Sequence, residues 1–297
     1  MSYATHLQSL AAANAVERTD RLPFPALPVQ IDNTNGQFLT TVERFGEFAA
    51  DTKLAPPASW VDSSVRLGGM PTKVLATPMM VLAMIGRRSA WESEDRKLYR
   101  PINIRYDALP AGVRWVSRTH ALGILAEYQG NVWRPWAPIV LSVRSTQSGY
   151  FNKALQAWDR GTKEGRAALA VELAQAGQWN DPKVALPVEA FYRTIGFGES
   201  VKVGHGAQSA MIAQLVATLP APATAEHLRK ILLDEATIER CWDLHEQAAE
   251  WLNAWSPTNL VGGSDAGGNG HSDADEVLAP EPMTTSTPVV AAYDPRA

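Results

Sequence analysis

Hydrophobic and polar positions change rhythm partway along the chain. After residue 21, Leu22-Pro-Phe-Pro-Ala-Leu-Pro28 sets three prolines in six positions, which forbids a helix and predicts an extended entry segment. A turn at Asn33-Thr-Asn-Gly36 precedes Gln37-Phe-Leu-Thr-Thr-Val42, whose β-branched and aromatic content predicts a strand. Further strands are predicted over Val61 to Leu67, Val74 to Ile85 with an interruption at Pro78, Val113 to Arg118, Leu122 to Tyr128 and Ile139 to Arg144. In Val113-Arg-Trp-Val-Ser-Arg118 the period of two puts Arg114, Val116 and Arg118 on one face and Trp115 on the other.

Beyond Gly149 the spacing becomes helical. Asn152 is a candidate cap for a helix carrying Ala154, Leu155 and Trp158, and Ala167 to Ala176 is a second helical stretch. Met211, Ile212, Leu215, Val216 and Leu219 read as the apolar stripe of a third helix, and helical pattern continues from Leu228 to Trp255. Strands first and helices second predict an α+β protein, with an OB-like barrel or sandwich in the β-rich half. The expected parts are an N-terminal arm over 1–21 with short helical spacing at Leu7, Leu10, Ala11 and Val16, a β-rich domain over 22–151, a helical region over 152–255 and a disordered acidic tail over 256–297.

Charge sharpens this division. The net charge is only −4, yet residues 60–170 hold 16 Lys and Arg against 8 Asp and Glu, while residues 256–297 hold six acids against Arg296 alone. A single cysteine, Cys241, excludes an internal disulfide framework and is expected to be a buried helix residue. The six histidines fall at no metal-ligand spacing, and HExxH, Walker-type, GxSxG and EF-hand motifs are absent, so neither metal nor cofactor is expected. Gly196-Phe-Gly198 and Val203-Gly-His-Gly206 form the nearest approach to an anion-binding turn, without the GxGxxG register. With no signal-peptide pattern and no apolar run of membrane-spanning length, a cytoplasmic location and no membrane partner are expected.

The basic middle is interleaved with aromatics, notably across Arg87-Arg-Ser-Ala-Trp-Glu-Ser-Glu-Asp-Arg-Lys-Leu-Tyr-Arg100, which reads as a charged hairpin loop. Single-stranded nucleic-acid binders need both ingredients, since cations follow the phosphates while ring faces stack on bases without reading them. Arginine outnumbers lysine here, which suits bidentate phosphate contact. The phosphate candidates are Arg87, Arg88, Arg100, Arg114 and Arg118, and the stacking candidates are Trp91, Tyr99 and Trp115. Against this stands the plainer reading that most of the tryptophans are core residues.

A basic β-rich domain, a long helix and an acidic tail resemble the OB-fold single-stranded DNA-binding proteins of phages and plasmids. Gly36-Gln-Phe-Leu39, Trp60, the apolar Val74 to Ile85, Pro138-Ile-Val-Leu-Ser-Val-Arg-Ser145 and Gly149-Tyr-Phe151 also resemble a domain family of bacterial and mobile-element proteins, over roughly residues 22–158. The resemblance implies a non-catalytic protein that binds single-stranded DNA in replication, recombination or a mobile element, with a tail that competes for the groove or recruits protein partners. The tail departs from that pattern, ending Tyr293-Asp-Pro-Arg-Ala297 where those proteins carry a hydrophobic tip. Two other readings stay open: an assembly protein that forms homo-oligomers through its helical half, and an enzyme with a site around Gly204-His-Gly206.

Overall fold

The computed structural model describes residues 21–94, 98–204, 209–219 and 223–256. The arm up to residue 20, the tail beyond Ser256, the pair Arg96 and Lys97, and His205 with Gly206 lie outside the described residues. The elements are β1 (Leu27–Asp32), β2 (Gln37–Thr41), α1 (Val42–Thr52), β3 (Val61–Leu67), β4 (Met70–Thr77), β5 (Met80–Ser93), β6 (Tyr99–Pro101), β7 (Trp115–Gln129), β8 (Val132–Arg144), α2 (Thr146–Gln175), β9 (Tyr192–Val203), β10 (Ala210–Thr218), α3 (Ala225–Arg229), α4 (Glu235–Gln247) and α5 (Ala249–Asn253).

Ten strands make one sheet in the order β10-β9-β5-β7-β8-β1-β2-β4-β3, with β6 paired to β5 off that path. The β1–β8 pairing is parallel, and every other pairing among the described strands is antiparallel. Although β2 and β9 are far apart in this order, the Phe38 and Phe197 rings meet at 4.7 Å, and the Asn33 carbonyl accepts the Ala213 N–H at 2.9 Å. The sheet is therefore curled into a half-barrel. Its inner face buries Leu27, Phe38, Leu82, Leu125 and Ile139 against Phe45 and Phe48 of α1 and Phe151 of α2. On its outer face α4 and α5 cover Val81, Ala83, Ile124 and Leu122 with Leu244 and Trp251. The chain is thus α+β, strand-rich first and then helical.

Two local expectations change. The stripe of Met211, Ile212, Leu215, Val216 and Leu219 is not a helix, because residues 210–218 form β10 and pair antiparallel with β9. A register shift between Ala213 and Leu215 places its extra residue on β9, where Ser200 and Phe197 stand three apart, and the run of neighbouring apolar positions along β10 is what imitates helical spacing. Most of the supposed loop after Ile85 is also strand, since β5 runs through to Ser93.

The two helical stretches after Gly149 join into α2, a helix of 30 residues. Gly165 within it is dictated by close approach, for a Cβ there would fall 2.0 Å from the Ala223 carbonyl oxygen. Near the other end, the Gln147 amide donates to the Ala213 carbonyl at 2.5 Å and accepts from the Leu215 N–H at 3.3 Å. One side chain thereby satisfies two backbone groups of β10, which among the described strands pairs with β9 alone. Cys241 sits half-buried on α4 beside the outer-face core, and burial pushes its thiol up to about 11. Among the described residues, no helix is long and apolar enough to cross a membrane.

Candidate nucleic-acid interface

The eight candidate residues are distributed by a single extra residue in β5. Before it, Met80, Leu82 and Met84 face the inner core, and Val81 and Ala83 face the outer one. A register shift between Met84 and Gly86 then exchanges the faces. Beyond it Arg87, Ser89 and Trp91 point to the inner side, and Arg88 and Glu92 point to the outer side beneath α5. Directly opposite partners share a face, so Arg100 joins Trp91 and Tyr99 joins Glu92 across the β5–β6 pairing.

The inner side opens at this end into a cleft of about 480 Å³ between the strands, the 102–110 segment and the start of α2. Its walls include Trp91, Tyr106, Trp115, Tyr150 and Lys153. Trp91 donates its indole N–H to the Ile104 carbonyl at 2.8 Å, and Trp115 donates to the Pro110 carbonyl at 3.2 Å. Both nitrogens are satisfied within the protein, leaving ring surface for other contacts. Trp115 is buried and forms the floor, whereas Trp91 is half-buried and Tyr106 is 58% exposed, the two rings meeting edge to face at 5.6 Å. Ser145 caps α2 without a side-chain hydrogen bond, so the positive end of a 30-residue helix faces the cleft close to Lys153. Arg87 donates to Asn152 Oδ1 on the first turns of α2.

The outer side is a closed cluster. Glu92 is 0% exposed and accepts from Arg118 at 2.9 Å, Arg144 at 2.7 Å and the Tyr99 hydroxyl at 3.2 Å. Arg88, 4% exposed, has its guanidinium over Trp251 at 3.8 Å and over Trp255 at 4.2 Å from the ring centres, and donates to the Trp251 carbonyl at 3.0 Å. Tyr99 stacks on Trp255 at 5.2 Å, and His120 contacts both Arg88 and the same two tryptophans. Burial, followed by the charges of Arg88, Arg118 and Arg144, pushes the His120 imidazole down to about 2.

Of the phosphate candidates, Arg87 and Arg100 therefore share the inner side of the sheet with the cleft, and Arg88 and Arg118 belong to the buried cluster. Arg114 lies at the exposed strand end, 3.3 Å from Glu94. Of the stacking candidates, Trp91 and Trp115 line the cleft and Tyr99 packs in the cluster.

No family model, curated protein or solved structure matches this chain.

Strand-by-strand reading missed Tyr106, Tyr150 and Lys153 in the cleft and Glu92, His120, Trp251 and Trp255 in the cluster. Tyr150 and Lys153, three residues apart at the start of a helix, carried a usable signal because that spacing places them on one face. The outer cluster also makes stability depend on pH. Unfolded His120 takes up a proton near pH 6.5, and folded His120 does so only near 2. Within that window the unfolded state binds the extra proton, so stability falls with decreasing pH by up to about 1.4 kcal/mol per unit, and the contribution is flat above 6.5. Denaturant titrations at stepped pH should show this slope in the wild type and lose it in H120Q. An identical slope in H120Q would assign it to other groups.

Proposed function

We propose that this protein binds single-stranded nucleic acid, in the first place DNA, without catalysing a reaction on it. The carrying observation is the inner cleft, which sets the half-buried Trp91 and the exposed Tyr106 beside Tyr150, Lys153 and the uncapped end of α2, with Arg87 and Arg100 on the same side of the sheet. In this reading phosphates follow Arg87, Arg100, Lys153 and the helix end, and bases stack on Trp91 and Tyr106. Arg88, Arg118 and Tyr99 act indirectly, by holding β5 and β7 in the shape that presents the cleft.

An OB-type ancestry of the curled sheet, and service in replication, recombination or a mobile element, belong to this proposal and rest on the sequence resemblance. The acidic tail supplies a competitor for the cleft or a site for protein partners.

The direct test is fluorescence anisotropy of a labelled oligo-dT at low salt, with tryptophan emission followed in the same titration. Binding with tryptophan quenching is expected, together with weaker binding of duplex DNA, whose bases are not free to stack. W91A should weaken binding by about 1–3 kcal/mol, the range for one stacked base. No change in anisotropy at low ionic strength would remove the proposal.

A further inference from the structure

The far end of the sheet carries a pattern that nucleic-acid binding does not use. β3 is last in the strand order, and among the described residues no strand pairs with its outer edge. Its register with β4 runs from Val61↔Ala76 to Leu67↔Met70, but β2 reaches β4 only from Phe38↔Thr77 to Thr41↔Val74. Residues 64–73 therefore stand clear of the sheet as a two-stranded ribbon, turned by Gly68 and Gly69 at φ of 58° and 86°. Such a ribbon is marginally stable in water, and its open edge offers a row of backbone donors and acceptors. Val61 is 60% exposed and Met70 70% exposed. At the opposite end of the sheet, by contrast, Asn33 and Gln147 already engage the backbone of β10.

What fits this edge is written in the strand itself. Val61-Asp-Ser-Ser-Val-Arg-Leu67 is self-complementary when two copies run antiparallel about Ser64. Ser64 then meets Ser64, Ser63 meets Val65, Asp62 meets Arg66 and Val61 meets Leu67. Asp62 and Arg66 are both exposed on β3, and the two-fold axis brings each beside its opposite charge twice. Shifting the centre by one residue loses both ion pairs, so charge also sets the register.

We propose that β3 is a dimerisation edge, through which a second copy of this chain extends the sheet across a two-fold axis at Ser64. The inference stands independently of nucleic-acid binding, and it places self-association on a strand of the β-rich half.

Sedimentation equilibrium of the full chain over a concentration series should show a reversible dimer. D62R and R66D should each weaken it about tenfold or more, because each converts two attractive cross-strand pairs into repulsive ones. An equimolar mixture of D62R and R66D should regain the dimer, since every substituted position again faces an opposite charge. Misfolded variants would not rescue one another, and both changes fall on exposed side chains, so matching circular dichroism spectra are expected. A wild type that stays monomeric, or single variants that associate as it does, would overturn the proposal. So would an R66D protein that loses oligo-dT affinity with its self-association unchanged, which would give the ribbon to nucleic acid.

Discussion

Replacing Glu92 with alanine is expected to cost about 3–5 kcal/mol of folding stability. The carboxylate is wholly enclosed, and it is what makes the side-by-side placement of Arg118 and Arg144 tolerable on adjacent strands. Truncation leaves two guanidiniums facing each other without that carboxylate, with water able to reach Arg144 far better than Arg118. E92Q keeps the shape but not the charge and should also destabilise strongly. Simultaneous replacement of Glu92, Arg118 and Arg144 by methionine should be far milder than E92A, because no member of this ion triad is then left without its partner. Urea denaturation at neutral pH measures all three. An E92A midpoint equal to that of the wild type would show that the cluster contributes little.

The second large effect concerns binding. Reversing charge at the cleft in R87E/R100E/K153E should reduce oligo-dT affinity by about a hundredfold or more at low salt. It should also flatten the slope of log K against log salt by about 2, since each single-strand phosphate contact contributes about 0.7. K230E, at the C-terminal cap of α3 and outside the cleft lining, adds one reversed charge and should shift affinity only slightly. Equal losses in both proteins would mean that overall charge governs binding and the cleft does not.

The passage from strand-rich to helical sequence was legible because side-chain periods of two and 3.6 differ over long stretches. It failed where one inserted residue breaks the period. At β5 the insertion moved Arg88 and Glu92 from the inner side to the outer, and at β10 a run of neighbouring apolar residues opposite a bulge in β9 made a strand look like a helix face. The alternation of Arg114, Val116 and Arg118 against Trp115 held, because the β5–β7 register is regular there. Glu92 could not be recognised from sequence as the partner of Arg118 and Arg144. Those three residues lie on neighbouring strands only after β5, β7 and β8 have paired, and Trp251 and Trp255 reach Arg88 from more than 160 positions away.

The pairing of β5 with β9 also bears on how the chain is made. β5 occupies the middle of the sheet, yet one of its neighbours is translated about a hundred residues later, and the tryptophans over its outer face come later still. A growing chain that has exposed everything up to α2 therefore presents a central strand with one open edge and an uncovered apolar side. Closure waits for residues 192–255, so folding is governed by contacts of long sequence separation and proceeds slowly. During synthesis this unfinished strand is the place where the nascent protein is most open to wrong pairing.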